Sequence, residues 1–357
     1  MFELQKNISL KSMNSLHLEV ASKYYATVSS VSELKEILTD NLVKNNSIFV
    51  LGGGSNVLFT KDFDGVVLKI NIKGMSVAYE DERCVHLEIS AGEDWPAVVE
   101  YAVAKGWGGI ENLAMVPGTA GAAPVQNIAC YGHSLHETLL FVDTISIENG
   151  SIRRFSVEEC QLEYRSSIFK KELRDKYIVV GICLRLDKNP ILNTSYKSRY
   201  ESVVDELSGI SEPPYTVRDV FQAIVNIRTA KLPDTLQVGT VGSVFKNPLI
   251  SSEQLKEIRK KCPGIHYYPE NQLSYANLLD ADEGIPEMVK IPAAWLIDDM
   301  GWCGKRVGNC GLWDKQPLNI VNYGNATPEE YLSFVNMVRD AVYDKYSIRL
   351  ETEVVIV

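Results

Sequence analysis

The sequence predicts an α+β fold divided into at least two units, and three observations carry that reading. Its 357 residues, at about 150 per domain, make two or three folded units. Strand-like and helix-like segments are mixed up to Asp187, as in an α+β unit. Between Lys188 and Thr216 a polar run interrupted by Pro190, Gly209, Pro213 and Pro214 precedes a second set of helices and a closing strand. The expected divisions are 1–188, 189–215 and 216–357.

Composition narrows the class. Hydrophobic residues make up 45% and charged residues 23%, which is ordinary for globular proteins and excludes wholesale disorder. The net charge of −10 argues against a nucleic-acid partner, although a few cations can still converge on a small anion. Seven scattered cysteines without a C-x-x-C pair suit reduced thiols rather than disulfides or zinc, so no metal is expected. Lys6 and Lys11 interrupt the first twenty residues, and no run approaches the ~18 apolar residues of a membrane span. A cytoplasmic protein is expected.

The elements follow in order. Ser30 and Glu33 form a capping-box pattern at the start of SVSELKEIL. The run SIFVL at Ser47 to Leu51 reads as a strand, followed by VVLKI (Val66 to Ile70) and the alternating CVHLEIS (Cys84 to Ser90). Asp94 is placed to cap WPAVVEYAVAK, which Gly106 closes. FVDTISIE and YIVVGICLRL read as strands flanking a short helix candidate, VEECQ. Beyond the boundary come helices in TVRDVFQAIVNIRTAK, SSEQLKEIRKK and TPEEYLSFVNMVRDAVYDKY, the last capped by Thr327 with Pro328 at its first position. LETEVVIV closes the chain as a strand, and no repeat or low-complexity tract is present.

Two glycine-rich loops could carry a ligand. Gly52, Gly53 and Gly54, followed by Ser55 and Asn56, expose backbone N–H groups after a buried strand, an arrangement suited to a pyrophosphate. The pattern is neither G-x-G-x-x-G nor a P-loop. The second loop, Pro117-Gly118-Thr119-Ala120-Gly121-Ala122-Ala123-Pro124, leads into Gln126, Asn127 and Ile128, so small residues could admit a flat ring beside amide side chains. Together they suggest a dinucleotide; two unrelated structural turns would have the same composition.

The motifs LGGGSN, PGTAGAAPVQNIACYG, EYRSSIFK, GSVFKNP and LETEV occur in that order across nearly the whole chain. This set resembles the UDP-N-acetylenolpyruvoylglucosamine reductases, and the segment near Tyr196 resembles the longer of their two types. The resemblance implies an FAD-binding domain of the vanillyl-alcohol oxidase-like (PCMH) type over 1–188, with Gly52, Gly53, Gly54, Ser55, Asn56, Pro117, Gly118, Thr119, Gly121, Ala122, Gln126, Asn127 and Ile128 as cofactor contacts. It also implies a linker over 189–215 and an α+β substrate-binding domain over 216–357, whose last strand returns to the active site. The implied reaction passes a hydride from NADPH to FAD. A hydride then goes to C3 of UDP-N-acetylglucosamine enolpyruvate, giving UDP-N-acetylmuramate for peptidoglycan synthesis. A monomer is expected.

Hydride addition at C3 would put negative charge on C2 and its carboxylate, which must be stabilised and protonated. By resemblance Arg165 holds the carboxylate, Ser243 protonates C2, and Glu353 is the third catalytic residue. Period-two alternation alone leaves Glu351 and Glu353 equivalent on one strand face; the family pattern selects Glu353 because Val354 follows it. Tyr196, Arg228, Lys231, Asn247, Tyr268 and Gln316 match the family's substrate contacts, suited to a UDP diphosphate. Cys303 stands where the family often has lysine, which leaves Lys305 or Arg306 to supply a phosphate contact. Tyr200 competes with Tyr196. His133 and His136 could meet on one helical turn without completing a metal site. The alternatives are a flavin oxidase acting on another substrate and a UDP-sugar-binding protein that has lost its chemistry.

Overall fold

The computed structural model describes residues 2–197, 201–269, 279 and 284–357. The first unit contains two sheets. In one, the strands Gln5–Ser9, Ala21–Val28, Phe63–Ile70 and Ile48–Leu51 lie side by side in that order, the last three mutually parallel. The other is antiparallel, in the order Ile152–Ser156, Leu139–Ser146, Tyr177–Asp187, Cys84–Ser90 and Met75–Glu80. The alternation in CVHLEIS becomes a strand with Val85, Leu87 and Ile89 buried in the first core.

Helix caps follow the local sequence closely. Ser30 Oγ accepts from the Glu33 amide at 3.1 Å, while the Glu33 carboxylate turns back to the Ser29 amide at 2.6 Å. Asp94 precedes the helix Trp95–Ala104 but makes no side-chain cap. The Trp95 amide instead donates to the Gly118 carbonyl at 3.0 Å, so the second glycine loop satisfies this helix end. VEECQ does not form a helix. Residues 157–161 make a turn in which the Cys160 amide reaches the Ser156 carbonyl at 3.0 Å. Gln161 ends it at φ 46°, and a segment so short cannot sustain helix nucleation.

The second unit carries a sheet of Gly239–Ser243, Gln316–Asn322, Cys310–Trp313 and Arg306–Val307, with the long helix Pro328–Tyr346 against it. Apolar residues of these elements make a separate core around Val241, Leu312, Ile320, Phe334 and Val338. The helix Val217–Lys231 turns Val220, Ala223 and Ile224 into the first core.

Both chain ends tie the units together. Thr240 donates its amide to the Ser15 carbonyl at 2.8 Å, and Ser15 donates its own to the Gly54 carbonyl at 3.0 Å. At the other end the expected terminal strand is shortened to Val355–Ile356, parallel to Val57–Leu58, because the backbone bends at Glu353 and Val354. The Val355 amide reaches the Asn56 carbonyl at 3.1 Å. This return brings the terminal acidic segment to the first glycine loop.

Candidate active site

The two glycine loops lie against each other and together line a cavity of about 690 Å³, within the range of cofactor sites. Gly52, Gly53, Gly54, Ser55, Asn56, Pro117, Gly118, Thr119, Gly121, Ala122, Gln126 and Ile128 line it, whereas Ala120, Pro124 and Asn127 do not, and neither Arg165 nor Ser243 is among its lining residues. The loops are in contact: a Cβ built on Gly53 would lie 2.7 Å from Gly118 Cα, and one on Gly52 would lie 2.8 Å from Thr119 Oγ1. Asn56 Nδ2 donates to Gln126 Oε1 at 2.5 Å. Gly54 adopts φ 70°, where a Cβ would meet the Met13 carbonyl oxygen at 1.9 Å. These glycines are therefore required by close backbone approach as well as by conformation.

A prediction follows from that contact. Gly53→Ala forces the loops apart and weakens cofactor binding at least tenfold, read from fluorescence quenching of added FAD. An unchanged affinity would mean that the loop contact does not shape the site.

Arg165 sits at φ 52°, in the left-handed region. It occupies a tight turn closed by Glu163 N to Ser166 O at 3.0 Å and Ser166 N to Glu163 O at 3.2 Å. The second glycine loop holds this turn: Asn127 Nδ2 donates to the Glu163 carbonyl at 3.2 Å, and Ser167 Oγ to the Val125 carbonyl at 2.5 Å. Asn127, buried and itself at φ 46°, thus supports the arginine turn. A strained residue braced from several sides is an arrangement common at functional sites.

The Arg165 guanidinium lies 2.9 Å from Glu353 Oε1, and the two side chains are 12% and 10% exposed. Glu351 points away, 79% exposed, 3.5 Å from Lys246 Nζ. The bend at Glu353 breaks the alternation that made the two glutamates equivalent. Glu353 lines the cavity, as do Lys170 and Lys246. Lys170 Nζ donates to the Arg165 carbonyl at 3.4 Å. Burial first, and then the neighbouring Lys246 charge, lower the Lys170 pKa.

Ser243 ends the strand Gly239–Ser243 and is half-buried. The register with Gln316–Asn322 shifts between Thr240 and Ser243, and Gly242 takes φ 72° there, a bulge that re-aims the side chain. Immediately after it, Val244 O accepts from the Glu353 amide at 2.8 Å, and Lys246 N donates to Glu351 O at 2.9 Å. Ser243 therefore adjoins a backbone stretch hydrogen-bonded to the glutamate that pairs with Arg165.

The remaining candidates fall into two groups by their contacts, and none of them lines the cavity. Asn247 donates its backbone amide to the Tyr164 hydroxyl oxygen at 3.3 Å, and its Oδ1 accepts from the Ala293 amide at 3.0 Å. Tyr268 is buried on a strand opposite Lys290, whose ammonium lies 4.3 Å from the Tyr164 ring centroid. On the other side Arg228 Nη2 donates to Met115 O at 3.1 Å, and Lys231 pairs with Glu201 at 2.9 Å. Gln316 lies opposite Trp313, whose indole N–H reaches the Lys231 carbonyl at 3.0 Å. Tyr196 packs edge-on against Tyr131, centroids 5.3 Å apart; Tyr200 lies outside the described residues. His133 pairs with Glu137 at 3.1 Å while His136 Nδ1 meets Ser134 Oγ, so the two histidines take different partners.

Comparison with known proteins decides the family. Residues 22–156 match the FAD binding domain model, and residues 234–357 match that of the UDP-N-acetylenolpyruvoylglucosamine reductase C-terminal domain. The UDP-N-acetylenolpyruvoylglucosamine reductase of Flavobacterium johnsoniae is 39% identical over 99% of both chains. That of Amoebophilus asiaticus is 36% identical over 99% of both. The chain belongs to the UDP-N-acetylenolpyruvoylglucosamine reductase family. In fold it is similar to the crystal structure of the family member from Thermus caldophilus, at a TM-score of 0.68 and 20% identity, covering 100% of this chain and 99% of that one.

As a member of this reductase family the chain is an FAD-dependent oxidoreductase of α+β fold. The residues fit the cofactor: crowded glycines leave backbone exposed along one wall, and the cavity is long enough to run from them to Glu353. The position of Cys303 is also informative. Its thiol donates to the Asp314 carbonyl at 2.7 Å. Lys305 lies on the Trp302 ring and Arg306 on the Tyr323 ring. Lys315 instead reaches the Ala230 carbonyl at 3.0 Å, beside Lys231. Sequence reasoning missed Lys170 and Lys246 even though both stand inside quoted motifs, EYRSSIFK and GSVFKNP.

Among the described residues no helix is long and apolar enough to cross a membrane.

Proposed function

We propose that this chain reduces UDP-N-acetylglucosamine enolpyruvate to UDP-N-acetylmuramate with NADPH, acting as a cytoplasmic monomer in peptidoglycan precursor synthesis. The domain assignment proposed with it is cofactor binding by 1–188 and substrate binding by 216–357, with 189–215 contributing from the substrate side. The observation that carries the reading is the Arg165–Glu353 pair, whose glutamate lines the cavity and donates its amide to the carbonyl of Val244, the residue after Ser243.

The two glycine loops, Gly52 to Gly54 and Gly118 to Thr119, would hold FAD, which when bound would supply the hydride chemistry that links NADPH to C3 of the enolpyruvyl ether. The protein's own groups do the rest. Arg165 binds the substrate carboxylate, and its permanent charge balances the negative charge that develops there. Glu353 fixes the guanidinium in orientation. Ser243 delivers a proton to C2; a free hydroxyl is a weak acid, so this role requires neighbouring groups that favour its ionised form. Arg228, Lys231, Asn247, Tyr196, Tyr268 and Gln316 bind the nucleotide-sugar.

Family membership and the presence of all three groups favour this over a flavin oxidase or a binding protein without turnover. The test is steady-state NADPH oxidation by the purified, yellow protein. Sustained oxidation that requires the enolpyruvyl substrate supports the proposal; a colourless protein indifferent to FAD, or oxidation independent of that substrate, overturns it.

A further inference from the structure

Lys69 projects from the strand Phe63–Ile70 and donates its ammonium hydrogen bond to the carbonyl of Gly52, the first residue of the glycine triplet. Its side chain is partly buried, and no carboxylate lies within ion-pair distance of it among the described residues. The charged neighbour acting on it is another cation, Lys73, whose ammonium holds the Gly92 carbonyl and, unlike that of Lys69, also lies 3.7 Å from a carboxylate, Glu93 Oε2. Burial first, and Lys73 second, lower the Lys69 pKa. A desolvated ammonium with a neutral acceptor and a like-charged neighbour is costly to keep. That cost is recovered when an anion is seated nearby.

We infer that Lys69 is a positioning residue for the cofactor diphosphate: from behind the triplet it anchors the Gly52 carbonyl, turns the following amides to the cavity and supplies an uncompensated positive charge beneath them. The inference rests on the FAD-binding reading of this cavity and deepens it. The geometry gives its direction. Gly52, Gly53 and Gly54 line the cavity, and a carbonyl held on the outer side of such a turn leaves the N–H groups available to phosphate oxygens. Lys69 reaches the ligand through the backbone that it holds.

The test is FAD affinity of the apoprotein and its dependence on salt, by fluorescence quenching, for the wild type, Lys69→Met and Lys69→Gln. Gln keeps a donor for the Gly52 carbonyl and removes the charge, and it also serves if Lys69→Met does not fold. We expect both variants to bind FAD at least tenfold more weakly, with a shallower loss of affinity as salt rises, because a positive charge behind the phosphate-binding amides has been removed. Affinity within twofold of wild type, or weaker binding with an unchanged salt dependence, would overturn the inference. A wild-type apoprotein that fails to bind FAD would instead defeat the cofactor reading itself.

Discussion

Ser243→Ala is expected to slow reduction of the enolpyruvyl substrate by about 10²–10⁴-fold, the usual contribution of a positioned general acid, while NADPH still reduces the flavin at close to the wild-type rate. The separation arises because only the second half-reaction creates a carbanion-like C2 that needs a proton. Ser243 is half-buried at a bulge, and the next residue is bonded to the Glu353 backbone, so loss of one oxygen should leave the fold unchanged. Stopped-flow measurement of the two half-reactions checks this. Equal slowing of both would place Ser243 in cofactor binding or in folding rather than in proton transfer.

The second large effect is expected at Arg165. Arg165→Met removes the guanidinium 2.9 Å from a carboxylate only 10% exposed, and an isolated buried charge left by breaking such a pair typically costs about 3–5 kcal/mol. The variant should therefore be less stable in urea by an amount of that order. It should also lose substrate reduction by about 10²–10³-fold, as when one charge-stabilising donor is removed. Combining it with Glu353→Gln should recover part of the stability, because the stranded carboxylate is then gone, but none of the activity. Stability that falls further in the double variant would contradict a direct pair.

How far the sequence could be read depended on whether the information was local. The glycine loops were legible because exposed amides and missing side chains are properties of a few adjacent residues. The cap at Ser30 and the helix after Thr327 were legible for the same reason. Ile152–Ser156 was not, since three of its five residues are exposed and two of those are arginines, which hides the strand alternation. The choice between Glu351 and Glu353 depends on a bend produced by pairing with Val57–Leu58, far away in sequence. Asn127 was placed among the cofactor residues on its neighbours; its side chain is committed to Glu163 and His136, which no local pattern reveals. Lys69 looked like an ordinary strand lysine until folding set it behind Gly52.

The most direct test of the whole account is an anaerobic titration of the purified flavoprotein, followed by the yellow absorbance of its oxidised flavin. Addition of NADPH should bleach the band, and subsequent addition of UDP-N-acetylglucosamine enolpyruvate should restore it in proportion to the substrate added. A band that NADPH bleaches and this substrate leaves bleached would show that the cavity, the arginine and the serine serve some other acceptor.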